Sequence, residues 1–334
     1  MKQVRVHAPD DVRVDEVAEP EPGPRDVVVS VAACGICGSD LGYIRMGGLA
    51  GPGGEPMPLG HEFSGVVAHV GAEVVDVREG DRVVVHPGDD DLGRIGNGSP
   101  EGGLAPLVLV RDAASGGRLH RVPDDLPLEI AALAEPLGVG MRAVEQSDAR
   151  AGESVAVFGC GPIGLSAIAA LADRGVTDVV AVDLSPGRLE LAKTLGARAT
   201  LDPANDDVWA ALAGLHGTTP FMFGPTPATD AFIEASGAPS VITEVIDRGR
   251  SGGRLSVVAL HYESIPVNFL TVLMKQFTIR GSMEYPARFA DTIDLLARRD
   301  LSPMVTHRFG LDDFGAALDA LANDPDCGKV LVTP

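Results

Sequence analysis

Residues 154–183, SVAVFGCGPIGLSAIAALADRGVTDVVAVD, decide the fold of this chain. The stretch starts as a short apolar run, is interrupted at Gly159, Gly161 and Gly164, and continues as an uncharged run long enough for a helix. A second apolar run then ends at Asp183. Strand, glycine-rich turn, helix and strand in this order predict one unit of a parallel sheet.

The glycines of this turn have the G-x-G-x-x-G spacing of dinucleotide-binding loops. In such loops the first glycine makes a tight turn, the second lets the backbone approach the pyrophosphate, and the third lets the helix pack on the strand. The helix that follows offers free N–H groups and a positive dipole end to the phosphates. We therefore expect Gly159, Gly161, Pro162, Ile163 and Gly164 to bind the cofactor.

The carboxylate of Asp183 stands about twenty residues past the loop, where an acid binds the ribose hydroxyls of NAD. The same acid would repel a 2′-phosphate, so NAD is favoured over NADP. Alternatively, Asp183 caps the next helix, a role for which Ser185 competes. Arg188 lies along the same ribose or phosphate edge, or it points into solvent.

The flanking sequence predicts two domains. Alternating strand and helix patterns extend over residues 129–280 and predict a doubly wound parallel sheet. Before them, short apolar runs separated by turn clusters predict a β-rich barrel or sandwich, with strands at 27–33, 63–71, 81–88 and 104–110. We expect residues 281–334 to pack back on this first domain. The predicted division is therefore 1–128 with 281–334, and 129–280.

Composition excludes several classes of function. The 334 residues carry a formal net charge of -20, which argues against binding to nucleic acid or an anionic membrane surface. The N-terminal residues have no apolar core flanked by basic residues, so we expect no secretory signal and a cytoplasmic protein. Four cysteines in a chain of this length do not form a disulfide framework.

Candidate metal ligands occur in two early motifs. Cys37 lies in CGICGSD, and His61 is followed by Glu62 in GHE. Taken alone, a buried cysteine is usually a small hydrophobic residue, and a lone histidine is more often part of the core. Cys34 and Cys37 together are also compatible with a zinc knuckle or a redox motif.

The order CGICGSD, GHE, AEP at Glu135 and the glycine loop resembles the zinc-dependent medium-chain dehydrogenase/reductase (alcohol dehydrogenase) family. The closest resemblance is to its sorbitol, threonine and butanediol dehydrogenase branch. It implies an α/β protein with a GroES-like catalytic domain and a Rossmann domain. It also implies zinc- and NAD-dependent interconversion of a secondary alcohol or vicinal diol and its ketone. A zinc-free quinone or enoyl reductase of the same fold, or a non-catalytic dinucleotide-binding protein, are the alternatives.

The resemblance also implies the ligands of the metal. Cys37, His61 and Glu62 would bind catalytic zinc, and Glu135 would bind it directly or through water. Such a site leaves room for substrate or water at the metal.

The residues next to Cys37 have implied roles in the reaction. Ser39 would take the proton of the substrate hydroxyl, and Asp40 would orient a metal ligand, although both also suit a short helix cap. Tyr43 would touch the substrate or belong to the core. The backbone near Leu260 and Ser282 would hold the nicotinamide carboxamide.

The sequence departs from the family pattern at several places. Residues 87–103 lack the four cysteines of a second zinc site, which predicts one catalytic zinc per chain and no structural zinc. Asp89, Asp90, Asp91 and Glu101 are better explained as a solvated acidic loop than as a hard-cation site. Gly42 replaces a histidine that often relays the proton, and a water chain past the nicotinamide ribose is our hypothesis for the exit route.

Further departures concern substrate and assembly. Glu284 and Tyr285 stand where sorbitol-type enzymes have Arg-Tyr, which argues against a phosphate or carboxylate substrate. Residues 218–230 are unusually apolar and proline-rich, and their sequence does not explain them. We expect a homodimer or homotetramer, with the apolar run 253–270 forming a sheet edge that pairs between subunits.

Overall fold

A computed structural model of the chain describes residues 1–49, 54–88 and 94–334. The strands are β1 (Lys2–Ala8), β2 (Asp11–Glu16), β3 (Val27–Gly35), β4 (Met57–Pro58), β5 (Glu62–Val70), β6 (Arg82–Val85), β7 (Leu107–Val110), β8 (Leu119–Arg121), β9 (Ser154–Phe158), β10 (Asp178–Val182), β11 (Ala199–Leu201), β12 (Thr218–Thr219), β13 (Thr226–Pro227), β14 (Ala231–Glu234), β15 (Arg254–Val257), β16 (Thr278–Gly281), β17 (Val305–Gly310) and β18 (Lys329–Thr333). The helices are α1 (Gly38–Met46), α2 (Leu128–Ala131), α3 (Ala134–Ser147), α4 (Pro162–Asp173), α5 (Pro186–Leu195), α6 (Val208–His216), α7 (Pro239–Arg248), α8 (Phe269–Lys275), α9 (Ala290–Arg298) and α10 (Phe314–Asn323).

The predicted parallel sheet is confirmed. Its six strands lie in the order β11-β10-β9-β14-β15-β16, and every neighbouring pair is parallel. The chain runs outward from β9 in one direction to β11 and then in the other direction from β14 to β16. Connections therefore diverge at the carboxyl ends of β9 and β14, which is where doubly wound sheets bind ligands.

The β-rich part contains a sheet of seven strands. Six lie in the order β17-β18-β3-β5-β6-β8, and β7 pairs with β3 beyond this path. Strand β18 from the end of the chain pairs antiparallel with β3, so that Val332 opposes Cys34 and Leu331 opposes Gly35. The last strand of the chain therefore lies beside the strand that leads to Cys37.

The two parts share a buried apolar cluster. Val84 of β6 belongs to it together with Leu165 and Ile168 of α4, the helix that follows the glycine loop. Helix α3, which carries Glu135, packs so closely on α4 that a Cβ at Gly140 would lie 2.5 Å from the Cβ of Ser166. This packing fixes Glu135 relative to the dinucleotide loop.

The structure corrects one expectation about the sheet edge. The strand within 253–270 is β15, which is paired on both sides by β14 and β16. The edge is instead formed by β16, where Ile279 is exposed. The unexplained residues 218–230 contain the hairpin β12–β13, whose tip exposes Met222 and Phe223.

Asp89, Asp90 and Asp91, considered above as an acidic loop, lie outside the described residues. Within the described ranges, no helix has the length and apolar character needed to cross a membrane.

Candidate active site

Three candidate metal ligands meet where β3 and β5 pair. The potential ligand atoms of Cys37, His61 and Glu62 all lie within 4.8 Å of one another. Cys37 follows β3 and is the N-cap of α1, whereas Glu62 is the first residue of β5. These antiparallel strands place Gly35 directly opposite Glu62, which brings the two motifs together.

A missing side chain makes room for the Glu62 carboxylate. A Cβ at Gly35 would lie 2.0 Å from Glu62 Oε2, a distance that no real contact allows. From the other side, the buried Lys329 of β18 donates to Glu62 Oε1 at 2.7 Å and to the Ile36 carbonyl at 3.0 Å. Glu62 is therefore held by one buried cation in addition to any metal.

The buried Asp40 supports both remaining ligands. Its Oδ2 accepts a hydrogen bond from the Cys37 backbone N–H at 2.9 Å, and its Oδ1 lies 3.6 Å from His61 Nδ1. Asp40 thus occupies the third helical position of α1 rather than the N-cap. It holds the start of the helix and faces the imidazole of His61, as expected of a residue that orients a ligand.

The electrostatics of this pocket favour a cation. Burial lowers the pKa of His61, but the charge of Asp40 and a hydrogen bond to Cys37 outweigh it and raise the pKa well above its usual range. The buried Nδ1 of His61 makes no hydrogen bond within the described residues. Thiolate, imidazole and carboxylate are the ligands that zinc uses in proteins. The residues therefore fit a zinc ion.

Glu135 lies outside the group of three ligands. Its Oε1 accepts a hydrogen bond from the Tyr285 hydroxyl at 2.7 Å. The Tyr285 ring is in turn packed edge-on by His86 and Phe289. Burial raises the pKa of Glu135 to about 7, with His61 lowering it and Glu62 raising it further. Glu135 therefore borders the metal pocket, and its nearest protein partner is Tyr285.

Helix α1 carries the remaining residues predicted to touch substrate. Ser39 and Tyr43 are partly exposed and lie about one turn apart. Burial and the charges of Asp40 and Cys37 raise the pKa of Tyr43, whereas a hydrogen bond with Ser39 lowers it. At Gly42 a side chain would have room, because a Cβ there would lie 3.6 Å, an ordinary contact distance, from the Tyr262 hydroxyl oxygen.

Each glycine of the dinucleotide loop meets a different steric requirement. Gly159 has a φ of 92°, and a Cβ there would lie 2.6 Å from the Ser236 backbone nitrogen. Gly161 has open space around it and is the N-cap of α4, so a phosphate can approach its backbone. A Cβ at Gly164 would lie 1.8 Å from the Gly159 carbonyl oxygen. Pro162 and Ile163 form the first turn of α4. The loop therefore fits a dinucleotide.

The acid predicted to bind ribose lines a cavity of about 560 Å³ beside this loop. Asp183 accepts hydrogen bonds from the backbone N–H groups of Cys160, at 2.6 Å, and Ser185, at 2.8 Å. Ser185, not Asp183, is the N-cap of α5. Arg188 also lines the cavity, but its Nε donates to the Cys327 carbonyl at 2.8 Å. One side of the guanidinium is therefore already tied to the backbone just before β18.

The two residues predicted to hold the carboxamide follow neighbouring strands. Leu260 lies in the segment after β15 and is exposed, and Ser282 lies directly after β16 and is buried. The Ser282 hydroxyl makes no hydrogen bond within the described residues. Both stand at the carboxyl edge of the parallel sheet, on the opposite side of the glycine loop from Asp183.

A pocket suited to zinc next to a dinucleotide loop defines a metal-dependent oxidoreductase. Family comparison matches residues 23–124 to the alcohol dehydrogenase GroES-like domain and residues 162–298 to the zinc-binding dehydrogenases. The chain is 34% identical to (R,R)-butanediol dehydrogenase of Bacillus subtilis, with both chains covered in full. It is 35% identical to sorbitol dehydrogenase of Gallus gallus, over 92% of this chain and 90% of that one. The chain belongs to the zinc-type medium-chain dehydrogenases, in the branch of the sorbitol and butanediol dehydrogenases.

Solved structures agree with this assignment. The crystal structure of 2R,3R-butanediol dehydrogenase from Bacillus subtilis superimposes with a TM-score of 0.87, covering 100% of this chain and 99% of that one at 33% identity. A putative zinc-binding dehydrogenase from Sinorhizobium meliloti bound to NADP gives 0.86 at 29% identity, with the same coverage. The expected GroES-like and Rossmann architecture is therefore confirmed, and both alternative functions are disfavoured.

Sequence reasoning missed two residues that shape the metal pocket. Lys329 lies in an otherwise apolar closing strand, and a lysine in such a strand is a sign of a buried partner. Gly35 gave no signal, because the close approach of Glu62 depends on the register of two strands.

Replacing Gly35 with alanine should displace the Glu62 carboxylate, because the added methyl group would overlap Oε2. We expect zinc affinity to fall by about 10- to 100-fold, the range found when a residue supporting a metal ligand is lost. Zinc content after dialysis against a chelator series measures the effect. Gly38→Ala is the matched control, since a Cβ at Gly38 meets no atom within 4 Å. Equal zinc affinity in both variants would contradict this account of Glu62.

The pH dependence of the metal-free protein should report the burial of Glu135. Between the ordinary carboxyl value of 4.5 and about 7, only the folded chain holds this proton. The free energy of unfolding should therefore be highest below that window and fall as the pH rises through about 7, by at most about 1.4 kcal/mol per pH unit for one group. Urea unfolding from pH 5 to 8.5 measures it. Glu135→Gln should have a shallower pH dependence, and equal slopes in both proteins would refute the assignment.

Proposed function

We propose that this chain interconverts a secondary alcohol or vicinal diol and the corresponding ketone, using one catalytic zinc per chain and NAD. The observation that carries the proposal is the meeting of Cys37, His61 and Glu62 within 4.8 Å. The glycine loop and the carboxylate of Asp183 supply the cofactor site that such a reaction also needs. The relatives named butanediol and sorbitol dehydrogenase support a diol or polyol as substrate.

We assign the metal to Cys37, His61 and Glu62, with Glu135 reaching it through a water molecule because Glu135 stands outside the close group. Bound zinc would polarise the alcohol oxygen, and bound NAD would accept the hydride. The positive Lys329 beside Glu62 limits the negative charge of the ligand set. It thereby preserves the electron-withdrawing effect of the cation on the substrate oxygen.

The proton of the substrate hydroxyl has an acceptor in Ser39 on the first turn of α1. Tyr43 lies about one turn beyond Ser39 on the same helix, and both side chains are partly exposed. The Tyr262 hydroxyl stands near the open position at Gly42. Hydroxyl groups and water along this face of α1 therefore provide an exit route where the sequence lacks a relay histidine.

Charge in the pocket favours a neutral substrate. Lys329, the buried cation beside Glu62, is already paired with that carboxylate, so it is not free to bind an anionic group on the substrate. Arg94, a nearby candidate for binding an anion, forms an ion pair with Glu284 instead. Neutral alcohols, diols and sugar alcohols therefore fit better than phosphorylated or acidic ones.

The acid at Asp183 supports NAD rather than NADP. A 2′-phosphate placed there would face a carboxylate, and the neighbouring Arg188 is engaged by the Cys327 carbonyl. A related protein binds NADP, so the choice depends on these side chains and not on the fold. We also propose the domain division 1–128 with 281–334, and 129–280.

Replacing Cys37 with serine tests the proposed function directly. We expect loss of zinc together with a fall in kcat/KM of at least about 10³-fold, since a Lewis acid contributes several kcal/mol to such a step. Metal analysis and NADH absorbance at 340 nm with a panel of diols, polyols and simple alcohols measure both. Cys327→Ser is the control, because Cys327 is a buried cysteine that does not belong to the group of three candidate ligands. Full activity of metal-free Cys37→Ser would exclude the proposal.

Replacing Asp183 with asparagine should weaken the preference for NAD. We expect kcat/KM with NAD to fall by about 10- to 100-fold, the effect of losing a hydrogen bond to a charged group, while NADP use rises. Steady-state kinetics with both cofactors give the ratio. Asp319→Asn removes one exposed charge from α10 and should leave the ratio unchanged. An unchanged ratio in the Asp183 variant would contradict the role of this acid.

A further inference from the structure

A buried acid at the end of β14 is not used by the proposed chemistry. Glu234 is fully buried, and its Oε1 accepts hydrogen bonds from the Ser236 backbone N–H at 2.8 Å, the Ser236 hydroxyl at 2.7 Å and the Gly237 N–H at 2.8 Å. Its Oε2 faces His261 Nε2 at 2.9 Å. A buried carboxylate needs such partners to offset its loss of hydration.

The pair joins two segments at the carboxyl edge of the sheet. On one side Glu234 fixes Ser236, whose backbone nitrogen lies against the first glycine of the dinucleotide loop, Gly159. On the other side it holds His261, four residues beyond the end of β15. The N–H groups of Val258 and Ala259 also donate to the Glu234 carbonyl. The segment 258–262 is thereby tied to β14 by backbone and side chain together.

This segment reaches α1, the helix that begins after the candidate ligand Cys37. The cavity at Asp183, which suits the adenosine end of a dinucleotide, is on the β10 side of the glycine loop. The nicotinamide end of an extended dinucleotide would therefore lie over β14 and β15. The hydroxyl of Tyr262, the residue after His261, lies beside Gly42 of α1. The nicotinamide end must lie between these elements for hydride transfer to occur.

His261 also has an unused acceptor. Its side chain is 10% exposed, and its Nδ1 is buried without a hydrogen bond within the described residues. Because Nε2 faces a carboxylate, Nε2 carries a proton, and in the neutral imidazole Nδ1 is then left as an acceptor. A buried acceptor without a partner is costly, and a donor on the bound ligand would satisfy it.

We propose that His261, held by Glu234, is a positioning residue that sets the segment 258–262 against the nicotinamide end of the dinucleotide. This inference rests on the proposed NAD-linked function. It assigns no bond making or breaking to the imidazole. His261 acts on where the nicotinamide lies relative to α1, and it leaves the adenosine end unaffected.

The experiment compares NADH with ADP-ribose, which lacks the nicotinamide, on the zinc-loaded protein. Trp209 is the single tryptophan of the chain and lines the cavity at Asp183, so its fluorescence reports binding of both ligands. In His261→Leu we expect NADH affinity and kcat to fall by about 10- to 100-fold, as for loss of a charge-assisted hydrogen bond. ADP-ribose affinity should stay within about twofold, because its contacts lie on the β10 side.

Two variants provide the controls. His261→Gln keeps an N–H donor toward Glu234 and should recover most of the lost NADH affinity. His69→Leu breaks an exposed pair with Glu79, whose atoms are 3.7 Å apart, and should leave both affinities unchanged. These variants separate the position of His261 from a general loss of histidine.

Each outcome bears on the inference. Equal losses for NADH and ADP-ribose in His261→Leu, or no loss for either, would overturn it, as would a glutamine variant as impaired as the leucine variant. An unaltered protein that binds ADP-ribose but neither binds NADH nor oxidises any alcohol would refute the proposed function itself. In that case the inference would fall with it.

Discussion

The register between β3 and β5 is the constraint on which the metal pocket depends. Opposing Gly35 and Glu62 lets the carboxylate enter the space that any other residue at position 35 would fill. The same pairing places Cys37 at the start of α1 next to His61. A shift by one residue would turn Glu62 to the other face of the sheet and separate the ligands.

Buried charge is the second constraint, and the pocket balances it with few groups. Asp40, Glu62 and Glu135 lose hydration on folding and so must be paired or protonated. Lys329 lies in β18, the last strand, which pairs with β3. The metal pocket therefore requires β18 to join the sheet that contains β3 and β5. The site is therefore assembled only when the seven-stranded sheet is complete.

The dinucleotide loop depends on a third constraint, which is mainly the geometry of the backbone. Gly161 and Gly164 meet their steric requirements within one strand, turn and helix, whereas Gly159 also lies against the Ser236 backbone after β14. Glu234 extends this local order across the sheet, since it binds both the segment against the glycine loop and the segment after β15. The metal pocket and the dinucleotide loop are held together by two contacts: α3 packs closely on α4, and Tyr262 lies against α1.

The sequence by itself determined the parallel sheet, the glycine loop with Asp183, and the candidate ligands Cys37, His61 and Glu62. Local periodicity and motif spacing encode the sheet and the loop directly, whereas the candidate ligands followed from the order of the motifs and the family resemblance that it indicates. Only the tertiary structure decided that Glu135 stands apart with Tyr285, that Arg188 is tied to Cys327, and that β16 is the sheet edge. It also decided the roles of Gly35, Lys329 and His261. The reason is that their partners are distant in sequence and meet through strand register and packing, which no local pattern specifies.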